Sequence, residues 1–193
     1  MAQRLVIVQR RLAERLSEAP SGAVRLISMC AGQGRDVFGV LPDHPRRGDV
    51  TAVLVELDHR NVEAARATAA KTGLSRVEVL EGDAAVSDVY APCVPADVVL
   101  ACGIFGNISD QDLERTVRNL SMLCRTGAAV IWTRHREEPD LTPRIRSWFA
   151  DCGFEELGFD AIDNESKSGI GTVRLSGVPL PFQPAFRFFT FTR

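Results

Sequence analysis

The stretch LISMCAGQGRDVFG, residues 26–39, decides the fold. A run typical of a buried strand breaks off into small residues and two glycines, and then resumes as a helix. In α/β proteins, a strand that leads through a glycine turn into a helix start commonly builds a nucleotide site. We therefore predict a strand at residues 24–31, a short helix within residues 35–41, and a ligand at the turn between them.

Strand and helix patterns alternate along most of the chain. Aliphatic runs predict further strands at residues 50–57, 77–83, 96–103 and 128–135, and helical spacing predicts helices at residues 3–18, 59–72, 110–124 and 142–152. Ser109 with Asp112 predicts a capping box, and Thr142 is expected to cap the last helix with Pro143 at its first position. This alternation indicates a doubly wound sheet of mostly parallel strands.

The C-terminal region changes character. Residues 154–162 (FEELGFDAI) and 186–193 (FRFFTFTR) are both strand-like, with no helix pattern between them, so we expect them to pair as antiparallel neighbours. The connection 164–185 is long enough for a lid or an extra hairpin. Residues 1–193 are expected to form a single domain, in which residues 1–20 carry the N-terminal helix.

Composition narrows the classes of function. The 193 residues include 23 basic and 25 acidic ones, a net charge of -2, which disfavours nucleic acid and anionic membranes as partners. Arginine clusters at residues 9–11 and 45–47 leave RNA as an alternative partner. The five scattered cysteines predict reduced core residues of a cytoplasmic protein, with no disulfide or metal framework. No apolar run approaches the roughly 20 residues of a transmembrane helix, and the N-terminus does not resemble a secretory signal.

The glycine turn disfavours a dinucleotide site and excludes a phosphate loop. A dinucleotide turn needs a third glycine after Gly32 and Gly34, but Val37 stands there, and no Gly-Lys-Ser/Thr follows for a phosphate loop. Glu56 ends the second strand, where a carboxylate can accept both hydroxyl protons of a ribose. Asp83 ends the third strand, where it can accept a hydrogen bond from an adenine amino group. The pattern favours a nucleoside without a phosphate.

The chain resembles the class I S-adenosylmethionine-dependent methyltransferases along nearly its whole length. The matching stretches are CAGQG (30–34), VLVELD (53–58), LEGDA (80–84), ADVVLACGIFGNI (96–108) and LCRTGAAVIWTRHR (123–136). The resemblance implies an α/β fold with a doubly wound, mostly parallel seven-stranded sheet in the order 3-2-1-4-5-7-6, the last strand antiparallel and helices on both faces. It also implies S-adenosylmethionine as the cofactor and S-adenosylhomocysteine as its product.

The same resemblance assigns cofactor-binding residues. They are Cys30, Ala31, Gly32, Gln33, Gly34, Asp36, Glu56, Leu57, Asp83, Ala84, Cys102 and Gly103. Gly32 and Gly34 would let the backbone approach the methionine part of the cofactor, and Glu56 would hold its ribose. Asp83 with Ala84 would address the adenine.

The chain departs from the family pattern at two positions of the turn. The family usually has an acidic residue where this chain has Cys30, and often a third glycine where this chain has Asp36. Asp36 is therefore expected to supply the missing carboxylate for the cofactor's amino group. Cys102 and Gly103 would complete the methionine side.

His135, at the end of the fifth strand, is the candidate catalytic residue, since a histidine that titrates near neutrality can take a proton from an oxygen or nitrogen nucleophile. Phe105, Asn107 and Arg134 are the candidate substrate-binding residues. The expected reaction is in-line methyl transfer to a small molecule. The sequence is also compatible with an oligomer. RNA methylation, a module that binds the cofactor without transfer, and a nicotinamide oxidoreductase disfavoured by Val37 remain as alternatives.

Overall fold

A computed structural model describes residues 2–163 and 167–192. Its strands are β1 Val24–Met29, β2 Val50–Glu56, β3 Val77–Glu81, β4 Ala96–Ala101, β5 Cys124–His135, β6 Phe154–Ala161 and β7 Ser168–Leu175. Its α-helices are α1 Ala2–Glu18, α2 Arg35–Phe38, α3 His59–Thr72, α4 Asp110–Asn119 and α5 Thr142–Asp151.

The seven strands form one sheet in the order β3-β2-β1-β4-β5-β7-β6, which confirms the predicted fold. Strands β1 to β5 are parallel to one another, whereas β7 is antiparallel to both β5 and β6. Met29 lies between Val55 and Ala101 in register. The carboxyl ends of β1, β2 and β4 therefore meet at one edge, where the glycine turn follows β1.

Two apolar cores cover the two faces of the sheet, because successive residues of a strand point to opposite faces. Ile27 and Met29 belong to one core, with α4, α5 and the buried Phe188. Leu26 belongs to the other, with α2, α3 and the α1 side chains Val8, Leu12 and Leu16. The predicted helix at residues 3–18 is thus confirmed as α1, which packs its apolar stripe on the sheet.

The prediction that residues 154–162 pair with residues 186–193 was wrong. β6 pairs instead with β7, which lies inside the connection that sequence analysis expected to be a lid or extra hairpin. Residues 164–166 of that connection lie outside the described residues. A Cβ at Gly171 of β7 would overlap the Trp132 ring, so glycine at this position leaves the space that the Trp132 side chain occupies.

Residues 183–192 form a segment that we call the C-terminal strap. Within it only isolated bridges form, Val86 with Arg187 and Ile108 with Phe191. Phe188 and its neighbour Phe189 are both fully buried, which breaks the alternation that a strand on a two-sided sheet would show. Phe188 and Phe189 therefore anchor the strap to the core that lies on one face of the sheet.

Several element ends differ from the predictions. α4 ends at Asn119, a 3-10 turn spans Leu120–Leu123, and β5 begins directly after it. Ser109 accepts a hydrogen bond from the Asp112 backbone N, so half of the predicted capping box forms. The Asp112 carboxylate instead accepts one from the strap, at Thr190 N.

The prediction that Thr142 caps α5 was wrong, because Thr142 is the first residue of the helix. Leu141 occupies the cap position without a side-chain hydrogen bond. The Thr142 N–H donates to Asp140 Oδ1 at 2.8 Å, so a carboxylate two residues upstream satisfies this helix end. The predicted apolar face of α5 is confirmed, with Ile145, Trp148 and Phe149 buried.

Candidate functional site

Two adjoining cavities open at the carboxyl ends of β1, β4 and β5. The first, which we call the turn cavity, has a volume of about 440 Å³ and is lined by Arg4, Leu5, Val8, Cys30, Ala31, Gly32, Gln33, Arg35, Asp36, Cys102 and Gly103. The second, the strand-end cavity, measures about 600 Å³ and is lined by Arg4, Gly103, Gly106, Asn107, Ile108, Asp110, Thr133, Arg134, His135, Glu137, Glu138, Pro139, Ser168 and Thr192. Arg4 and Gly103 line both, and therefore mark the junction.

Three glycines shape the turn cavity in different ways. Gly32, Gly34 and Gly103 have φ values of 56°, 67° and 76°, a region that side chains rarely adopt. A Cβ on Gly32 or Gly103 would meet no atom within 4 Å, so both face open space. A Cβ on Gly34 would lie 2.5 Å from the Phe38 ring, so this glycine serves the packing of α2. Gly32 and Gly103 thus leave a cradle beside the backbone that a ligand can fill.

Glu56 lies directly behind the glycine turn. Its Oε2 accepts a hydrogen bond from Gly32 N at 2.7 Å, and its Oε1 accepts one from Asp58 N at 3.0 Å. These bonds hold the carboxylate at the end of β2, and each oxygen retains a second lone pair. Glu56 can therefore support the turn and still accept hydroxyl protons from a ligand.

Cys30 stands in the left-handed region, with φ 51°, at the start of the turn. Burial, reinforced by the negative charges of Glu56 and Asp83, raises the pKa of its thiol to about 12. The side chain is therefore a neutral thiol at physiological pH. No negative charge comes from the position where the resembling family carries an acid.

Asp36 brings a carboxylate to the lining of the turn cavity. Burial raises the pKa of this carboxyl, and the positive charge of Arg4 opposes the rise. Burial also raises the pKa of the Cys102 thiol, with a contribution from the charge of Asp36. Asp36 is the one acidic residue among the described residues that line this cavity, and its role as the carboxylate for the cofactor's amino group stays a prediction.

Some predicted cofactor residues lie outside the lining of the turn cavity. They are Gly34, Glu56, Leu57, Asp83 and Ala84. Leu57 follows β2 and exposes 69% of its surface. Asp83 accepts a hydrogen bond from Ala85 N, and the Ala84 carbonyl accepts one from the buried Tyr90 hydroxyl. The turn after β3 is therefore held from both sides next to the Glu56 end of β2.

The strand-end cavity brings together three of the four residues predicted for catalysis and substrate binding. His135, Arg134 and Asn107 line it. The expectation for Phe105 needs correction, because its ring is fully buried and packs against Trp132, with ring centroids 6.1 Å apart. Only its carbonyl oxygen takes part, as the acceptor for the Arg134 guanidinium.

His135 is half-buried at the last position of β5. Its Nδ1 is enclosed without a hydrogen-bond partner among the described residues. A Cβ on Gly106 would lie 2.8 Å from the His135 ring, so only glycine lets the imidazole occupy this position. The loop after β4 and the end of β5 thus fit together around the ring.

Sequence analysis missed two contributions to the site. Arg4 and Val8 lie one helical turn apart on α1 and both line the turn cavity, a spacing that the amphipathic pattern could have revealed. The C-terminal strap joins the turn after β3 to the loop after β4, because Ser87 N donates to Phe186 O and Thr192 N donates to Asn107 O. Arg187 of the strap forms an ion pair with Asp83, which follows β3, with 3.0 Å between Nη2 and Oδ2.

Across residues 2–163 and 167–192, no group of histidine, cysteine and acidic side chains is arranged to hold a metal ion. Over the same ranges, no helix combines the length and the apolar character needed to cross a bilayer.

Solved structures of methyltransferases share this fold. An O-methyltransferase family protein from Burkholderia thailandensis aligns with a TM-score of 0.65 and 20% identity, over 88% of this chain and 57% of that one. Magnesium protoporphyrin IX methyltransferase from Synechocystis PCC 6803, solved with bound S-adenosylmethionine, aligns with a TM-score of 0.68 and 12% identity. The alignment covers 89% of this chain and 79% of that one. An O-methyltransferase family 2 protein from Planctomyces limnophilus, in complex with apigenin, aligns with a TM-score of 0.62 and 16% identity. The alignment covers 88% of this chain and 61% of that one. The chain thus spans less than two thirds of the Burkholderia and Planctomyces proteins.

Comparison of sequences supplies the family. A search of curated protein sequences finds no match. A family model described as "Putative methyltransferase" matches residues 2–147, which hold both glycine positions and the ends of β1 to β5. The chain belongs to this family, and its fold is that of the class I S-adenosylmethionine-dependent methyltransferases.

Proposed function

We propose that the protein transfers the methyl group of S-adenosylmethionine to an oxygen or nitrogen atom of a small molecule. The observation that carries the proposal is the junction of the two cavities. Gly32 and Gly103 open the turn cavity beside the backbone, and the strand-end cavity with His135 adjoins it at Gly103. A donor site and an acceptor site that share a wall suit a direct transfer between two bound molecules.

The residues present fit this cofactor. Glu56 has lone pairs left for the ribose, Asp36 offers a negative charge for the amino group, and Asp83 lies where the adenine is expected. Gly32 and Gly103 leave room for the methionine part. When bound, S-adenosylmethionine supplies a methyl group activated by a sulfonium charge.

The chain's own contribution is alignment and proton removal. The strand-end cavity holds the acceptor, and α1 and the C-terminal strap contribute Arg4 and Thr192 to its lining. His135 Nε2 makes no hydrogen bond within the described residues and is available to take the proton of a hydroxyl or amine. Free cysteines, Cys30 among them, suit our placement of the protein in the cytoplasm.

A module that binds the cofactor without transfer is the second candidate. It is favoured by His135 Nδ1, which lacks the acceptor that commonly orients a catalytic histidine. RNA as the acceptor is disfavoured, because Asp110, Glu137 and Glu138 at the strand-end cavity are all exposed carboxylates that repel a polyanion.

Calorimetric titration with S-adenosylhomocysteine tests the proposal. We expect micromolar binding by the wild type and at least a 30-fold loss in Glu56→Ala, since charge-assisted hydrogen bonds contribute about 1.5–3 kcal/mol each. Gly32→Val should also lose binding, because its side chain enters the cradle. Glu78→Ala, an exposed acid on β3, is the matched control and should bind normally. Thermal melts verify that each variant folds.

The outcomes separate the candidates. Absence of binding by the folded wild type contradicts the proposal. Binding without methyl transfer to any compound in a broad acceptor screen favours the non-catalytic module.

A further inference from the structure

We propose that the methyl acceptor carries a carboxylate, and that Arg134 binds it from the floor of the strand-end cavity. The inference rests on the proposed function, which makes this cavity the acceptor site. It adds the chemical class of the acceptor.

Arg134 is a buried cation without an anionic partner. It exposes only 9% of its surface, and it forms no ion pair within the described residues. Its Nη1 donates to the Phe105 carbonyl, and its Nε is enclosed without an acceptor. Nη2 makes no hydrogen bond within the described residues and is not enclosed, so it is the donor that remains for a ligand in the cavity.

An anion bound in the cavity would stabilise such a group. A guanidinium keeps its charge at any physiological pH, and a buried charge without a counterion is strongly destabilising. Arg136, two residues further along, shows the usual solution, with carboxylate partners in Asp140 and Asp163. Arg134 lines a cavity where a ligand carboxylate can take the corresponding place.

The carboxylates around the cavity do not neutralise Arg134. Asp110, Glu137 and Glu138 are exposed, and none lies within the 4.0 Å of an ion pair with it. Solvent screens exposed charges of this kind. Burial lowers the pKa of Arg134, with Asp110 and Asp140 opposing, so desolvation outweighs these distant charges.

The charged residues around the cavity also favour an acceptor with one negative charge over an acceptor with several. The floor offers one enclosed guanidinium, and Arg4 stands at the junction with the turn cavity. The acidic rim disfavours acceptors with several negative charges. A small acceptor with a single carboxylate fits both conditions, and Arg134 is then a specificity-determining residue.

Matched acids and amides test the proposal. Glycolate, lactate, glycine and 4-hydroxybenzoate, each with its primary amide, are titrated into the protein with and without S-adenosylhomocysteine, and binding is followed by ligand-observed NMR. We expect at least one acid to bind about 10- to 100-fold more tightly than its amide, the effect of one charge-assisted hydrogen bond. Arg134→Met should abolish this preference and Arg134→Lys should keep part of it. The exposed Arg144→Met is the matched control and should behave as the wild type.

The outcomes are distinct. Equal binding of acids and amides, absence of acid binding, or an acid preference that survives in Arg134→Met each overturns the inference. S-adenosylhomocysteine is titrated into the same proteins. Its failure to bind contradicts the proposed function, whereas normal binding without an acid preference contradicts only the role of Arg134.

Discussion

Cys30 and Asp36 occupy the two positions of the turn where the chain departs from the pattern of the family that it resembles. The buried thiol of Cys30 is neutral, and the carboxylate of Asp36 enters the same cavity from the first turn of α2. A helix of four residues has little capacity to stabilise a buried charge, and the opposing cation, Arg4, belongs to α1. We therefore expect the ionised carboxylate to serve a ligand at some expense of stability in the ligand-free protein.

Asp36→Asn separates these two effects. Because the folded-state pKa of Asp36 lies above its unfolded value, wild-type stability from this group is present at low pH and is lost as pH rises through the folded pKa. At pH 7 the asparagine variant should melt at the same temperature as the wild type or higher, and should bind S-adenosylhomocysteine about tenfold or more weakly. Melting curves from pH 3.5 to 7, with calorimetry at pH 7, measure both. A variant that is less stable at pH 7 and binds normally contradicts this account.

The residues that sequence could predict are those whose signal is local. The spacing of Gly32 and Gly34 and the place of Glu56 at a strand end follow from short stretches of chain. Arg187 reaches Asp83 from 104 residues away, and no local pattern indicates such a contact. Phe105 was misassigned because an aromatic residue in a loop near a site suits substrate stacking and core packing equally well.

The C-terminal strap is the element that joins the two halves of the site. It contacts the turn after β3 through Ser87 and the loop after β4 through Asn107. Thr116 on α4 donates to the Phe188 carbonyl, and the Phe188 and Phe189 rings enter the core. Ordering of both loops thus depends on the strap.

Truncation of Phe188 tests the anchor. Phe188→Ala should lower the free energy of unfolding by about 3–5 kcal/mol, because it removes a fully buried ring. Phe191→Ala is the matched control in the same strap, with 44% of the surface exposed, and should cost about 1 kcal/mol or less. Urea denaturation measures both. Equal effects of the two substitutions would show that the strap is not anchored at Phe188.

The strap and β7 were misassigned for related physical reasons. The residues of β7 were predicted to belong to a connection, yet Gly171 packs against Trp132 of β5 and the strand pairs with β5 and β6. The aromatic run of the strap suggested a strand, yet the Phe188 and Phe189 rings lie in a core that residues of several distant segments form. In both cases, packing between distant segments outweighs local propensity.

At the scale of the whole molecule, one of the two cores buries a thiol from each half of the chain, Cys93 and Cys124. Burial raises the pKa of Cys93 to about 11 and that of Cys124 to about 12. Each thiol exposes 1% of its surface. The folded protein therefore retains protons that the unfolded chain releases above about pH 9.

The free energy of unfolding should consequently fall as pH rises above about 9. The contribution of each thiol is present below its unfolded pKa, and declines by about 1.4 kcal/mol per pH unit until the folded pKa is reached. Urea denaturation under reducing conditions at pH 8, 9 and 10 measures the slope. The variant with both Cys93→Ala and Cys124→Ala should show a shallower decline, since lysine and tyrosine titration is common to both proteins. Parallel slopes would contradict the prediction.

The shared wall of the two cavities has a consequence for how such a protein can diversify. The family match ends at residue 147, whereas Ser168 and Thr192 of the strand-end cavity lie beyond it. The turn cavity is lined entirely from within the matched part. On the function proposed above, mutations that accumulate in β7 and the strap would change which molecule the strand-end cavity accepts and would leave the turn cavity intact. Chimeras that exchange only these C-terminal segments would then alter acceptor specificity on this scaffold.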